Sequence, residues 1–244
     1  MKHLIYGHRG ASGDKPENTL AAFEEAVRQK ADGVELDIQY TKDKQIVVVH
    51  DENLGRTVKG EGWIKDYTLS ELKAMNFNLT HPECGRTEIP TMEEVFDLLR
   101  DTNLLINIEL KTSIFDYEGI EEDIVKMTHD KGFENRVIYS SFNHYSIMRL
   151  KEADPRAKTA FLYMDTPMDF VSYAARYNVD AIHPALYNVR IPGVVQEAHD
   201  KGMEVNVWTV NDEMEMEICD AYGIDGVITN YPAKARAYFE KRHG

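Results

Sequence analysis

Hydrophobic and polar residues alternate strictly over 33–39. Val34, Leu36 and Ile38 are apolar, and Glu35, Asp37 and Gln39 are polar. A period of two is that of a β-strand, whose successive side chains point to opposite faces. The turn-tolerant stretch Thr41-Lys42-Asp43-Lys44 breaks the pattern. A second strand rich in β-branched residues follows over 45–49 and ends at His50-Asp51. So short a connection predicts an antiparallel hairpin. With its turn centred on Asp43, Asp37 falls opposite His50 to within one residue. Glu35 and Asp37 then share a face. Carboxylates that close repel unless one is protonated or a cation lies between them. An acidic pair on an exposed sheet face is the bland alternative.

The same patterning organises the whole chain. Strands are predicted over 4–7, 104–110, 137–140, 159–163, 181–183, 204–208 and 226–229, in addition to the one at 33–39. Leu20, Phe23 and Val27 recur at helical spacing behind Asn18 or Thr19 as N-cap. Further helices are predicted after Thr91 to residue 99 and over 120–131, 145–152, 168–177, 192–201, 213–222 and 233–241. Eight strands alternating with eight helices imply parallel strands joined by right-handed crossovers. In a chain of 244 residues they fit a closed (β/α)8 TIM-type barrel better than an open sheet. No Gly-x-Gly-x-x-Gly follows the first strand, which weighs against a dinucleotide site. The alternation is interrupted at about 52–89, after the second barrel strand. That segment holds Gly55, Gly60, Gly62 and Gly85, and a capping box at Thr68-Leu69-Ser70-Glu71 opens a helix to about residue 75. It reads as a functional insertion over one end of the barrel, expected to choose among substrates. One domain, 1–244, without a second core is expected.

Composition narrows the partners. The net charge of −14 disfavours nucleic acid and anionic membrane surfaces, which need basic patches. No apolar run approaches the ~20 residues of a membrane span, so no stable membrane insertion is expected. Met1-Lys2-His3 leads straight into an apolar strand, which leaves no room for a signal peptide and points to the cytoplasm. Cys84 and Cys219 have neither zinc-site spacing nor a disulfide framework, and both are expected reduced.

In such a barrel the site lies at the C-terminal strand ends. His8 and Arg9 end the first strand, Glu35 and Asp37 lie on the second, and the hairpin returns His50. Glu109 and Lys111 end the strand at 104–110, Trp208 ends the next to last, and Asn230 the last. Glu35, Asp37 and Glu109 are oxygen ligands without a nearby cysteine, which favours Mg²⁺ or Ca²⁺, with Mn²⁺ third, over zinc. Arg9 by bidentate hydrogen bonds and Lys111 as a point charge can seat a phosphate. His8 and His50 are the groups there that titrate near neutrality, suited to acid and base roles in phosphoryl transfer. Trp208 fits a substrate wall or core packing, and His183 sits at a strand end.

The set His8-Arg9-Gly10, Pro16-Glu17-Asn18-Thr19, Glu35-Leu36-Asp37, His50-Asp51 and Glu109-Leu110-Lys111 resembles the glycerophosphodiester phosphodiesterase family in order and spacing. Asn53-Leu54, Arg56-Thr57, Ser140-Ser141-Phe142, Trp208-Thr209-Val210-Asn211 and Asp225-Gly226 extend the resemblance over essentially the whole chain. It implies a barrel with a small insertion after the second strand. It also implies Glu35, Asp37 and Glu109 as metal ligands, His8 and His50 as acid and base, and Arg9 and Lys111 as phosphate holders. The implied reaction is hydrolysis of a small glycerophosphodiester to sn-glycerol 3-phosphate and an alcohol. A neighbouring glycerol hydroxyl attacks phosphorus first, and water then opens the cyclic phosphate. Asn230 departs from the pattern, where aspartate is frequent.

Three other functions compete with hydrolysis of a small diester. A phospholipase acting on lipid head groups would need an exposed apolar or basic docking surface. A metal-dependent lyase or isomerase would not use two histidines beside a phosphate seat. A binding module that had lost catalysis would lack a histidine or a ligand, and none is missing.

Overall fold

The computed structural model describes residues 3–243. Met1 and Lys2, which the sequence leads into the first strand, lie outside the described residues. The described chain forms nine strands: β1 (Leu4–His8), β2 (Gly33–Tyr40), β3 (Ile46–Val48), β4 (Leu105–Leu110), β5 (Val137–Ser141), β6 (Lys158–Tyr163), β7 (Ala181–Pro184), β8 (Glu204–Val207) and β9 (Gly226–Thr229). Their order in the sheet is β1-β9-β8-β7-β6-β5-β4-β2-β3, and β1 also pairs with β2. That pairing closes eight parallel strands into the expected barrel. β2 has the length to serve two partners on one edge. Gly33 to Glu35 pair with β1, and Ile38 to Tyr40 pair antiparallel with β3. The hairpin register sets Ile38 against Val48, so Asp37 lies opposite Val49, whose N–H donates to the Asp37 carbonyl at 2.9 Å. His50 is one residue further along.

Nine helices are described: α1 (Leu20–Arg28), α2 (Leu69–Ala74), α3 (Met92–Leu99), α4 (Ile120–Lys131), α5 (His144–Ala153), α6 (Phe170–Arg176), α7 (Val194–Asp200), α8 (Glu213–Tyr222) and α9 (Pro232–His243). α6 and α7 are shorter than their apolar patterns predict, because Asp169 and Gly193 take left-handed backbone immediately before them. Thr19 caps α1, accepting from the Ala22 N–H. Thr68 and Thr91 each close a reciprocal capping box with the glutamate three residues on. Each such cap contributes about 1 kcal/mol.

The main core lies between barrel and helices. Val34, Leu36 and Ile38 of β2 pack outward with Phe23 of α1 and Val95 and Phe96 of α3. Truncating Leu36 to alanine there should cost roughly 2–5 kcal/mol. The alternate residues of β2, Glu35 and Asp37, face into the barrel, so the strand alternates although every residue in it is buried. The insertion departs from the expectation of no second core. Val47, Val49, Leu54, Val58, Ile64, Leu72, Phe77 and Ile89 form a separate cluster. It exists because the chain alternates through β3 and one residue beyond: Ile46 and Val48 join the main core, whereas Val47 and Val49 turn away from it and need cover.

Candidate active site

Parallel register gathers the carboxylates. His8 stands opposite Glu35, and Asp37 stands opposite Glu109. At the end of β1 the chain turns sharply. Arg9 has φ 53° and Gly10 φ 80°. A Cβ at Gly10 would come within 2.6 Å of the Ala22 backbone, so only glycine fits. The turn aims the Arg9 N–H at Glu35 Oε2, 2.8 Å away, while the Arg9 guanidinium reaches Glu17 Oε1 at 2.7 Å and lies 3.5 Å from Asp37 Oδ2.

Glu35, Asp37 and Glu109 are 4%, 0% and 8% exposed, and each offers an oxygen within 4.8 Å of the others. This excludes the reading of an acidic pair on an exposed sheet. Burial and then the Asp37 charge push the Glu35 carboxyl well up. Burial also raises Glu109, with Lys111 opposing. Asp37 goes the other way, because His50, Arg9 and Lys111 outweigh its burial. Asp37 Oδ1 is buried without a hydrogen-bond partner. An unpaired carboxylate oxygen among two more carboxylates costs free energy unless a cation meets it. Five carboxylates, Glu17, Glu35, Asp37, Asp51 and Glu109, are tied to three cations, Arg9, Arg56 and Lys111. With all five ionised, the excess of two negative charges fits one divalent ion, and the all-oxygen donor set suits a hard one.

The two histidines are held in defined tautomers. His8 Nδ1 donates to Asn230 Oδ1 at 2.7 Å, leaving the Nε2 lone pair free, 4.0 Å from Glu35 Oε2. Burial, with the Arg9 charge beside it, pushes His8 down to about 4, so its ring is neutral at pH 7. His50 Nδ1 donates to Asp51 Oδ1 at 2.7 Å. Its Nε2 accepts from the Lys111 ammonium at 3.2 Å, which also donates to Glu109 Oε1 at 2.9 Å. Lys111 stays charged, since Glu109 and Asp37 offset its burial.

Several residues around these were not assigned roles from sequence. Asn18, which the sequence offers either as a cap or as a residue pointing into the site, takes φ 56° and points into the site, donating from Nδ2 to Asp37 Oδ2 at 2.8 Å. Glu17, which could pass for a helix's acidic first turn, bonds both Arg9 and Arg56. Asn230, left outside the catalytic set, bonds His8. Their occurrence beside Arg9, His50 and the last strand end was the available signal.

A cleft of about 460 Å³ opens over the carboxylates. His8, Arg9, Glu35, His50 and Glu109 line one part of it, and Phe142, Leu162, Met164 and Trp208 make an apolar wall. Trp208 is therefore a cleft wall. Its indole N–H donates to the His183 carbonyl at 2.9 Å, and its ring meets Phe142 edge-on at 5.6 Å. No described residue of the insertion lines the cleft; Arg56 of the insertion bonds Glu17 and Asp51, which in turn hold the lining residues Arg9 and His50. His183 is also absent from the lining. It is buried beneath, with Asn206 Nδ2 3.0 Å from its Nε2.

Residues 8–234 match the Glycerophosphoryl diester phosphodiesterase family. The chain is 43% identical over 233 residues to a glycerophosphodiester phosphodiesterase of Caldanaerobacter subterraneus subsp. tengcongensis, spanning 95% of this chain and 96% of that one. Among solved structures, an Oleispira antarctica phosphodiesterase in complex with the product sn-glycerol-3-phosphate superposes with a TM-score of 0.85 at 26% identity, covering 97% of this chain and 96% of that one. A glycerophosphodiester phosphodiesterase from Thermotoga maritima gives 0.78 at 30% identity, covering 100% and 99%. With a closed barrel, converging carboxylates and paired histidines at the strand ends, the chain belongs to the glycerophosphoryl diester phosphodiesterase family.

Proposed function

We infer that this cleft hydrolyses glycerophosphodiesters to sn-glycerol 3-phosphate and an alcohol. The observation that carries this reading is the buried, unpartnered Asp37 Oδ1 among Glu35 and Glu109, beside two histidines whose Nδ1 atoms are already committed. Glu35, Asp37 and Glu109 are the ligands of one divalent cation, Mg²⁺ or Ca²⁺. Bound there, the ion supplies positive charge to the phosphate oxygens.

The protein's own groups do the rest. Arg9 and Lys111 bind the phosphate oxygens, Arg9 through its guanidinium N–H groups and Lys111 through its ammonium. Neutral His8 takes the proton from the attacking glycerol hydroxyl at Nε2 as the new O–P bond forms. With the Lys111 ammonium turned to the phosphate, His50 in its protonated form, held at Nδ1 by the Asp51 carboxylate, gives its Nε2 proton to the departing alcohol oxygen as the old P–O bond breaks. Water then opens the cyclic phosphate with the roles reversed. Phe142 and Trp208 shield the reacting end from solvent. Residues 1–244 act as one catalytic unit. The acidic surface and two free cysteines favour small diesters met in the cytoplasm over a lipid surface, and no described helix is long and apolar enough to cross a membrane.

The test is release of sn-glycerol 3-phosphate from choline, ethanolamine, glycerol and inositol diesters. Metal-stripped protein is assayed alone and with Mg²⁺ or Ca²⁺ restored, with His8→Ala as control. Metal-dependent release that vanishes in the variant is expected. No release from any diester by folded protein with either ion would remove this reading.

A further inference from the structure

At the opposite end of the barrel from the cleft, His3, Asp220 and His243 bring three ligand atoms within 4.8 Å of one another. They come from three separate places: the residue before β1, the last turn of α8 and the end of α9. The sequence suggests no partner for His3 or His243, because 217 positions separate His3 from Asp220.

His3 is 2% exposed. Its Nδ1 lies 2.5 Å from the Ile224 carbonyl oxygen. A carbonyl only accepts, so Nδ1 carries the hydrogen and the neutral ring directs a lone pair from Nε2. That lone pair faces Asp220 Oδ1 at 3.3 Å. His243 Nε2 approaches the same oxygen to 2.7 Å. Asp220 Oδ2 is turned instead toward Arg242, 3.7 Å away. An acceptor facing an acceptor at a part-buried contact calls for something positive between them, either a proton on His3 or a metal ion.

The arrangement has the marks of a metal site. A ligating histidine is held by donating its other N–H to a carbonyl or carboxylate, as Ile224 holds His3. Packing on Phe239, with ring centroids 4.3 Å apart, fixes the His3 ring further. Two imidazoles and a carboxylate are the donor set of Zn²⁺ and its borderline neighbours, unlike the all-oxygen set in the cleft. With bonds of ~2.0–2.1 Å, tetrahedral ligands stand roughly 3.3–3.4 Å apart. The His3 to Asp220 separation already matches. His243, on an exposed helix end, has to open by about half an ångström to match. We propose that His3, Asp220 and His243 form a three-ligand site for a Zn²⁺-class ion, with water in the fourth position, that clips the start of β1 to α8 and α9.

Zinc titration of the full chain, metal-stripped and without a histidine tag, tests this in excess Mg²⁺ that saturates the carboxylate cluster. One zinc per chain that Mg²⁺ does not displace is expected, with a rise of several degrees in unfolding temperature, because an ion bound only by the folded state stabilises it. His243→Ala changes an exposed residue and should fold. It should weaken this zinc at least tenfold and lose the rise in unfolding temperature, while hydrolysis in Mg²⁺ stays as in the parent. Asp220→Asn should do the same. Absence of an Mg²⁺-resistant zinc in the parent, or equal zinc binding by parent and His243→Ala, overturns the proposal and leaves a proton on His3 as the cation.

Discussion

Arg56 and Glu17, 39 positions apart, are joined by two hydrogen bonds, Nη1 to Oε2 at 2.5 Å and Nη2 to Oε1 at 2.7 Å. The same guanidinium grips Asp51 at 2.6 and 2.9 Å. Each of these carboxylates holds a cleft residue in turn, Glu17 the Arg9 guanidinium and Asp51 the His50 ring. One side chain from the insertion thereby braces both Arg9 and His50. Arg56 is 44% exposed, so its ion pairs contribute little to stability. Its weight falls on geometry.

Replacing Arg56 with alanine should therefore lower kcat/KM by about 10–100-fold, the usual effect of losing a partner that orients the groups doing chemistry. The unfolding temperature should move by only a few degrees, and Arg56→Lys should recover part of the rate. Steady-state kinetics on one glycerophosphodiester, beside a thermal melt, checks this. An unchanged rate in Arg56→Ala would show that Glu17 and Asp51 hold their partners unaided.

Glu35 should set stability against activity. Without metal, burial and the Asp37 charge raise its carboxyl well above the usual range. An acid with a raised folded pKa loses stability as pH climbs from its unfolded value of ~4.3 through the folded one, because the folded state holds the proton longer. Glu35→Gln removes that loss and keeps an oxygen to accept from the Arg9 N–H. In metal-free protein at pH 7 the variant should melt no lower than the parent. With Mg²⁺ restored it should be at least ~100-fold less active, since the proposed ion loses one of its three carboxylates. A variant that melted well below its metal-free parent would contradict the strain assigned to the cluster.

Asn230 tunes His8. Its neutral amide accepts from Nδ1 and adds no charge, so burial keeps His8 low, at about 4. Asn230→Asp places a carboxylate on that hydrogen and favours the imidazolium, an effect of roughly 1–3 pH units at such distances. If His8 acts as base, the acid limb of kcat/KM against pH should move up by at least ~1 unit in the variant. An acid limb in the same place would take the base role from His8.

The barrel and the carboxylates were legible because each rests on local periodicity. Alternation in β2 puts Glu35 and Asp37 on one face whatever else the chain does, and eight strand-helix units can be counted. What hid was long-range. Asn18 can be read as a cap or as a site residue, and nothing local settles which, because its left-handed backbone is what turns the amide toward Asp37. Arg56 lies in an insertion whose small core forms only when Val47 of β3 and Val49 just after it meet Leu72 and Phe77. The inward residues Ser140, His183 and Asn206 sit on strands of four or five residues where one polar position carries no periodic signal. Their meeting is decided by barrel closure.

His183 gives that interior a measurable pH signature. It is 1% exposed, and burial pushes it down to about 3. Its neighbours are amides, Asn206 Nδ2 at 3.0 Å and Asn107 Nδ2 at 3.5 Å, which offer no charge to an imidazolium. In the unfolded chain the ring titrates near 6.5. Above that pH both states are neutral and His183 adds no slope. Between about 6.5 and 3 the unfolded state binds a proton that the folded state refuses, so stability falls as pH drops, by about 1.4 kcal/mol per unit. Buried carboxylates contribute to acid unfolding as well, so the test is a difference. His183→Gln should be less stable at pH 7 by roughly 1–3 kcal/mol, the cost of disturbed buried hydrogen bonds. Its stability should then fall less steeply from pH 6.5 to 4, the two curves converging as acid is added. Denaturant unfolding at several pH values measures both slopes. Parallel curves would mean that the buried ring takes up its proton in the folded barrel as readily as in the unfolded chain.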